Sequence, residues 1–123
     1  MYQHIKVPSQ GQKITVNDDL SLNVPDQPII PFIEGDGTGA DITPVMMKVV
    51  DAAVAKAYAG KKAIHWMEGY AGEKSTKVYG PEVWLPAATL QARRENVVSI
   101  KCPLETAGGG GSCLCNVTMQ QVG

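Results

Sequence analysis

A glycine-rich turn between a short apolar run and a long amphipathic pattern constrains this chain more than any other feature. The apolar run is Ile29–Ile33, and Gly35–Gly39 supplies three glycines directly after it. Apolar side chains then recur with helical i, i+3, i+4 spacing at Ile42, Val45, Met46, Val49, Val50, Ala53, Val54 and Ala57. We expect this helix to begin with Thr43 as its N-cap and Pro44 next, and to end at Gly60.

The order of the later elements indicates a parallel α/β layer. Ala63–Glu68 and Val97–Ile100 have the character of strands, and a short helix is expected near Pro86–Glu95. Gly72–Lys77 is expected to be a polar turn region. Strands that alternate with helices along a chain form parallel sheets, so the pattern predicts an α/β fold.

Both ends of the chain are less regular than its centre. Residues 13–16 and 20–24 alternate apolar and polar side chains, which predicts a hairpin. Pro31 indicates an edge position or an irregularity in the first buried strand. Gly108–Gly111 lies in a segment without helical or strand period, so a flexible tail is expected over residues 105–123.

Charge and hydropathy exclude several classes of protein. The 123 residues carry 11 basic and 12 acidic side chains, so the basic excess of a nucleic-acid-binding surface is missing. The sequence has no apolar run long enough to cross a membrane. Met1–Pro8 lacks the apolar segment of a secretory signal, and a cytoplasmic location is expected.

The three cysteines lie late in the chain, at Cys102, Cys113 and Cys115. An odd number confined to one quarter of the sequence is not a disulfide framework. A zinc site would need a fourth ligand, and His4 and His65 are far away in sequence. Reduced thiols are therefore expected, and a thiol–metal module is the alternative, which stoichiometric zinc would reveal.

The glycine turn loosely fits the G-x-G-x-x-A pattern of dinucleotide-binding loops. That pattern requires an acidic residue about 20 positions later, but Ala55 stands there and the first candidate is Glu68. A helix beginning at Thr43 would also lie too far from the glycines to hold a phosphate. A tight turn that uses glycine for positive φ is the favoured interpretation.

A second polar cluster follows the third expected strand. Lys101, Thr106, Ser112 and Asn116 would supply a cation, two hydroxyls and an amide where ligands of α/β sheets gather. These groups suit a small anionic, hydroxylated molecule. On chemistry alone, however, a solvated linker is favoured.

Five segments together match a known family; they are Ile30–Pro44, Val49–Tyr58, Trp66–Glu68, Tyr70–Gly80 and Val83–Pro86. They resemble the N-terminal part of bacterial NADP-dependent isocitrate dehydrogenases. The resemblance extends from Met1 to about Lys101. It implies an incomplete part of the three-layer α/β fold of isocitrate and isopropylmalate dehydrogenases, which is not a Rossmann fold. Residues 1–104 would belong to the large domain, and residues 105–123 would form a divergent tail.

The resemblance also implies a reaction. Enzymes of this family oxidise isocitrate with NADP⁺ and release CO₂ to form 2-oxoglutarate, with Mg²⁺ or Mn²⁺ as a second cofactor. They are cytoplasmic homodimers without nucleic-acid or membrane partners. No family catalytic residue or metal ligand has a counterpart in these 123 residues, so the isolated chain is expected to be inactive. The alternative is an inactive truncated product or a fragment that binds intact subunits.

Four positions match places where the family binds its ligands. Lys101, Thr106 and Asn116 correspond to positions of the substrate-binding segment. Thr38 lies in the turn that borders the nicotinamide cofactor in the family. The resemblance therefore implies that these four side chains face substrate or NADP.

Other positions depart from the family pattern. Glu105 replaces a cofactor-contacting threonine, and Leu114 replaces a substrate-binding serine that is phosphorylated in some members. Gln120 replaces an arginine that clamps a substrate carboxylate. Glu105 would repel anionic ligands, and Gln120 cannot form a charged bidentate pair. Arg93 and Arg94 stand where the family has one apolar position, either as solvated side chains or as damage to the core.

Overall fold

A six-residue apolar strand organises the sheet. The computed structural model describes residues 2–104 and 111–121, except the side chains of residues 111–115. Strand β4 (Pro28–Ile33) is almost entirely buried and pairs in parallel with β5 (His65–Gly69). On its other side, β1 (Gln12–Lys13) pairs with the start of β4 and β6 (Ile100–Lys101) with its end, both in parallel.

The expectation of an edge position for Pro31 is wrong, because Pro31 lies inside the central strand. The carbonyls of Gln27 and Ile33 accept hydrogen bonds from Gln12 and Cys102 on the side of β1 and β6. Backbone groups alternate in direction along a strand, so the nitrogen of Pro31 points to this same side.

The gap between β1 and β6 explains why a proline is tolerated there. On that side of β4, β1 pairs with Pro28 and Ile29, and β6 pairs with Phe32 and Ile33. Pro31 faces the gap between the two short strands. Its missing N–H therefore leaves no ladder hydrogen bond unmade.

Helix α1 (Gly39–Tyr58) begins five residues earlier than the spacing predicts. Thr38, not Thr43, is its N-cap residue. Thr43 is buried, and its hydroxyl donates to the carbonyl oxygen of Glu34 at 2.8 Å. Thr43 thus fastens the helix to the end of β4 instead of capping it. The other end agrees with expectation, because α1 ends two residues before Gly60.

The hairpin and the third helix are confirmed. Strands β2 (Thr15–Val16) and β3 (Leu22–Asn23) pair antiparallel around the expected turn, although they are shorter than predicted. Helix α3 (Ala87–Asn96) occupies the segment where a short helix is expected. Val97 ends α3 with a φ of +67°, which delays the last strand until Ile100.

Helix α2 (Glu73–Tyr79) corrects the expectation of a polar turn over Gly72–Lys77. The helix has no long apolar stripe, and Ser75 is the side chain that it buries. The hydroxyl of Ser75 donates to the carbonyl oxygen of Val83 at 2.6 Å. A buried hydrogen bond therefore fixes this helix, which hydrophobic periodicity alone does not indicate.

Helix α4 (Gly111–Gln121) lies where the sequence shows no period, so the expected irregular tail is wrong for these residues. Its anchor is Met119, which is 2% exposed. Half-buried Arg93 donates from its guanidinium to the carbonyl oxygen of Met119, and so ties α3 to α4. Residues 105–110, which hold most of the glycine run, are outside the described residues.

The core lies between the sheet and α3. One cluster contains Tyr2, Ile5, Ile29, Met67 and Ala92. A second cluster, at the carboxyl ends of the strands, contains Ile33, Ala71, Leu104 and Met119. Each fully buried aliphatic side chain contributes about 1.5–3 kcal/mol, so the second cluster stabilises the edge where β4 and β6 end.

Tyr2 holds the start of the chain against α3. It is buried, and its hydroxyl donates to the carboxylate of Glu95. Burial, with this hydrogen bond, raises the pKa of Tyr2 to about 12. The Tyr2 hydroxyl, followed by the Gln91 amide and Lys13, lowers the pKa of Glu95 to about 2. The ionised carboxylate is therefore the form that the folded chain favours.

Acid should weaken this contact. The pKa of Glu95 is depressed from 4.5, so its contribution to stability is complete above that pH and is lost as the pH falls to about 2. Tyr2→Phe removes the largest cause of the shift. We expect the free energy of unfolding of this variant to depend less on pH within that window, as measured by urea denaturation at about pH 7 and about pH 3.

The control is Tyr58→Phe, which changes a half-exposed tyrosine on α1 and should leave the pH dependence as it is in the unmodified chain. Equal pH dependence in Tyr2→Phe and Tyr58→Phe would contradict the role of Tyr2.

Candidate functional site

The carboxyl ends of β4, β5 and β6 meet at one edge of the sheet, because these three strands are parallel. Small ligands of α/β proteins bind at such edges. Residues 34–38 follow β4, residues 70–72 follow β5, and residues 102–104 follow β6. We refer to these three segments together as the carboxyl edge.

The turn after β4 is pressed against the segment after β6. Gly35 has a φ of +87°, and a Cβ atom there would lie 2.2 Å from the carbonyl oxygen of Pro103. The N–H of Asp36 donates to that same oxygen at 2.9 Å. Only glycine fits at position 35, because both the φ angle and the space exclude a side chain.

Gly35 and Gly37 form the tight turn after β4, as the favoured interpretation predicts. Gly35 and Gly37 both have positive φ. Helix α1 begins at Gly39, so the expectation that it starts too far from the glycines to hold a phosphate is wrong. The N–H of Gly39 nevertheless donates to the carbonyl oxygen of Asp36 at 2.9 Å, and that of Ala40 to Gly37 at 3.3 Å. These two donors close the turn.

Asp36 joins the turn to the start of α2. Its side chain is buried, and its Oδ2 accepts a hydrogen bond from the N–H of Glu73 at 3.3 Å. A Cβ atom at Gly72 would lie 2.3 Å from the same oxygen. The carboxylate therefore fills the space that the second glycine leaves, and it positions the chain after β5.

Lys74 bridges two carboxylates at this edge. Its Nζ lies 3.1 Å from Oε2 of Glu34 and also donates to Glu68. Burial alone would lower the pKa of Lys74, but the hydrogen bonds to Glu68 and Glu34 outweigh burial and raise it. The ammonium is also 5.8 Å from the centre of the Tyr70 ring. Lys74 therefore remains a cation that neutralises its neighbours.

The sequence pattern did not indicate this ion-pair cluster. The dinucleotide-binding pattern makes Glu68 a candidate ribose-binding acid, but Glu68 is paired with Lys74. The sequence does contain a signal from which this cluster could have been predicted. Glu34 directly follows β4 and Glu68 lies near the end of β5, so two carboxylates on neighbouring parallel strands require a cation between them.

The described carboxylates at this edge do not fit a divalent cation. Glu34 and Glu68 share Lys74, and Asp36 accepts from a backbone amide. Within residues 2–104 and the described side chains of α4, no group of three His, Cys, Asp or Glu residues is placed to hold a metal. The side chains of Cys113 and Cys115 are outside the description, so the thiol–metal alternative stays untested.

Of the expected ligand-binding residues, Thr38 lies on the carboxyl edge, and Lys101 is the last residue of β6, directly before that edge. Thr38 is exposed at the N-cap of α1, where its side chain makes no capping hydrogen bond. Lys101 is exposed at the end of β6, and its Nζ is 3.3 Å from the carbonyl oxygen of Cys102. A free hydroxyl and a solvated cation are thus available where an anionic ligand would approach.

The other expected residues lie on α4 or outside the described residues. Asn116 is half-buried and Gln120 is exposed; they are four residues apart and so share one helix face. The backbone of Leu114 is in α4, but its side chain is not described. Glu105 and Thr106 lie outside the described residues, so their expected contacts stay predictions.

The opposite edge of the sheet has a different character. A cleft of about 590 Å³ is lined by residues 9–12 and 24–27, near the start of β4. His65 lies beside it, with Nε2 3.2 Å from Oε1 of Gln27. The lining is rich in uncharged amides, and parallel sheets bind ligands at the other end of their strands, so we favour the carboxyl edge.

The comparisons with known proteins agree on one family. A model of the isocitrate/isopropylmalate dehydrogenase family matches residues 29–113. The chain is 66% identical over 120 residues to the isocitrate dehydrogenase [NADP] of Coxiella burnetii, which covers 98% of the chain and 28% of that relative. It is 63% identical over 120 residues to the enzyme of the same name from Pseudomonas aeruginosa, covering 98% and 29% respectively.

A more distant relative agrees with these two. The isocitrate dehydrogenase [NADP] of Helicobacter pylori is 48% identical over 124 residues, covering 95% of the chain and 29% of the relative. The chain thus spans less than a third of the length of the curated relatives that it matches.

Gly35→Ala should destabilise the chain strongly. The added methyl group would collide with the Pro103 carbonyl oxygen, and alanine at position 35 would have an unfavourable positive φ. We therefore expect a loss of at least about 3 kcal/mol in the free energy of unfolding. The control is Gly60→Ala, where φ is +77° but no atom lies within 4 Å, and about 1 kcal/mol is expected. Equal losses, measured by urea denaturation, would contradict the close approach.

Lys74→Met should leave Glu34 and Glu68 without their shared cation. Because Lys74 is 34% exposed, solvent screens the interaction and we expect a loss of only about 1 kcal/mol at neutral pH. The raised pKa of Lys74 means that this contribution is lost as the pH rises above 10.5. Lys77→Met removes a 72% exposed lysine and should change stability by less than about 0.5 kcal/mol. Thermal unfolding of both variants tests the difference, and equal effects would speak against the cluster.

Proposed function

Because the chain belongs to the isocitrate/isopropylmalate dehydrogenase family, we propose that it provides part of an NADP-dependent isocitrate dehydrogenase. The observation that carries this proposal is 66% identity over 98% of the chain to a protein of that name. In the proposed reaction, the secondary alcohol of isocitrate loses a hydride to NADP⁺, and the resulting keto acid loses CO₂ to give 2-oxoglutarate. The complete enzyme would be a cytoplasmic homodimer.

This chain would contribute to that reaction by holding part of the enzyme in position. Residues 1–104 would form part of the large domain, and the close packing at Gly35 and Pro103 would hold its carboxyl edge in shape. Residues 105–123 would be the segment that diverges from the family. The chain spans about 28% of its relative, so the activity is proposed for the complete family protein.

Lys101 and Asn116 would contact the substrate. Isocitrate carries three carboxylates, and the solvated ammonium of Lys101 would attract one of them to the edge. Asn116 would add a directional hydrogen bond from α4, and the hydroxyl of Thr106 would do the same. Charge and orientation are therefore the contributions of this chain to substrate binding.

Three replacements would weaken the same pocket. Glu105 places a negative charge where NADP and isocitrate, both anionic, should approach. Leu114 offers no hydrogen bond in place of a serine. Gln120 has no charge with which to hold a carboxylate. These replacements support the second candidate, an inactive product or subunit-binding fragment.

The cofactors would depend largely on other residues. When bound, NADP⁺ accepts the hydride, and Mg²⁺ or Mn²⁺ stabilises negative charge on the substrate. Thr38 would contact NADP, and the exposure of this residue at the start of α1 supports that role. The described carboxylates do not fit the metal, so no metal-dependent step is assigned to them.

An activity measurement tests the proposal. The purified chain, given isocitrate, NADP⁺ and Mg²⁺, should produce no NADPH above background. A second experiment uses a chimera in which this chain replaces the aligned segment of the C. burnetii relative. We expect kcat/KM of that chimera to fall by roughly 100-fold or more, because about 1.5–3 kcal/mol is lost for each charged hydrogen bond.

Restoring the family residues should recover the activity of the chimera. Glu105→Thr, Leu114→Ser and Gln120→Arg together should return kcat/KM to within about tenfold of the relative. The control, Glu82→Thr, removes an exposed carboxylate elsewhere and should restore nothing. Turnover by the isolated chain would contradict the proposal that it only holds part of the enzyme in position. A chimera that is fully active without the three substitutions would contradict the proposal that Glu105, Leu114 and Gln120 weaken the pocket.

A further inference from the structure

Arg93, in the last turn of α3, donates side-chain hydrogen bonds to two other parts of the chain. Its Nε donates to the hydroxyl oxygen of Ser99 at 3.2 Å, and its Nη1 donates to the carbonyl oxygen of Met119. Ser99 directly precedes β6, and Met119 lies on α4. One half-buried side chain therefore connects the start of β6 to α4.

These contacts decide between the two interpretations of Arg93 that the sequence allows, a solvated side chain and damage to the core. Arg93 is half-buried and two of its donors have acceptors, so neither interpretation describes it. The resemblance implies one apolar residue at positions 93 and 94, and position 93 fits it better because Arg94 is exposed. An apolar side chain could form neither hydrogen bond. The link is thus a feature of this chain that the family pattern does not supply.

The two linked elements carry described residues that the proposed function assigns to the substrate. Lys101 is the last residue of β6 and follows Ser99 by two positions. Asn116 lies on α4, three residues before Met119, so the two are neighbours on the helix surface. A shift or rotation of α4 at Met119 would therefore move Asn116 relative to Lys101.

The geometry of a guanidinium suits this link. Its N–H donors are fixed in one plane, so Nε and Nη1 hold their two acceptors at a set separation. Both acceptors are uncharged, so the direction of the hydrogen bonds matters more than ion pairing. A lysine has a single ammonium on a flexible chain, and it could not hold both acceptors in this way.

Apolar packing alone would leave the rotation of α4 less well defined. Met119 is buried in the cluster at the carboxyl ends of the strands, which holds the helix against the sheet. Apolar burial is not directional, whereas a hydrogen bond is. The bond from Arg93 to the Met119 carbonyl therefore adds the orientation that burial of the side chain does not provide.

We propose that Arg93 is a positioning residue that fixes Lys101 on β6 and Asn116 on α4 relative to each other. Arg93 itself would not touch the substrate. The inference rests on the proposed function, because that function gives Lys101 and Asn116 their role in binding isocitrate. It adds a residue of α3, a helix to which the proposed function assigns no part in substrate binding.

A distance measurement on the 123-residue chain tests the positioning without catalysis. Spin labels are attached to Lys101→Cys and Gln120→Cys, two exposed positions, in a chain whose native cysteines are replaced by serine. Pulsed electron paramagnetic resonance should give one narrow distance distribution. We expect Arg93→Met and Arg93→Lys to make this distribution at least about twice as wide, because neither side chain can hold both acceptors.

Two further variants make the distance measurement specific. Arg94→Met removes the exposed neighbouring arginine and should leave the width unchanged. Ser99→Ala removes one acceptor and little volume, and it should widen the distribution less than Arg93→Met does. Urea denaturation of each variant shows whether it folds, and Ser99→Ala tests the link even if Arg93→Met does not fold.

Kinetics separate positioning from stability. In the chimera that carries Glu105→Thr, Leu114→Ser and Gln120→Arg, we expect Arg93→Met to raise the KM for isocitrate by about tenfold, with kcat changed by less than about twofold. A purely structural role would instead reduce the amount of folded enzyme, which lowers the apparent kcat and leaves KM unchanged.

The outcomes distinguish this inference from the proposed function. An unchanged distance distribution in Arg93→Met would overturn the inference, as would Arg93→Lys behaving like the unmodified chain. A fall in kcat at constant KM would also overturn it. An inactive restored chimera would contradict the proposed function, while the distance distributions would still decide whether Arg93 positions α4.

Discussion

The close approach of two chain segments at Gly35 and Pro103 is the constraint on which the rest of the structure depends. The turn after β4 and the segment after β6 touch through backbone atoms, with no side chain between them. This contact fixes where α1 begins and where the chain emerges from β6. Thr38 lies in the turn on one side of this contact, and Lys101 lies two residues before Pro103 on the other.

Charge at the carboxyl edge is balanced by Lys74 rather than by a ligand. Without that lysine, Glu34 and Glu68 would repel each other and any incoming anion. Asp36 is held by a backbone amide, so its charge also serves the fold. The edge is therefore a stable frame on which other groups can act, and Lys101 is its solvated cation.

Local patterns predicted some of the regular elements, and long-range contacts decided the others, α2 and α4 among them. The apolar period of α1, the short α3 and the strand–helix order could be read from the sequence, because each follows from side-chain spacing. The start of α1 could not, because Thr43 bonds to Glu34 across the turn. Pro31 in the central strand depends on a gap between β1 and β6, and α4 depends on Met119 and Arg93, neither of which leaves a periodic signal.

Only part of the candidate site could be predicted, because local patterns again do not show long-range contacts. Thr38 and Lys101 follow parallel strands, so their shared edge could be expected, but the engagement of Glu34 and Glu68 with Lys74 is visible only in three dimensions. We propose that this chain frames an anion-binding edge and does not bind the substrate tightly by itself. Calorimetric titration of the folded chain with magnesium isocitrate tests it most directly. We predict no saturable binding up to about 1 mM, and a dissociation constant below about 10 μM would contradict the claim.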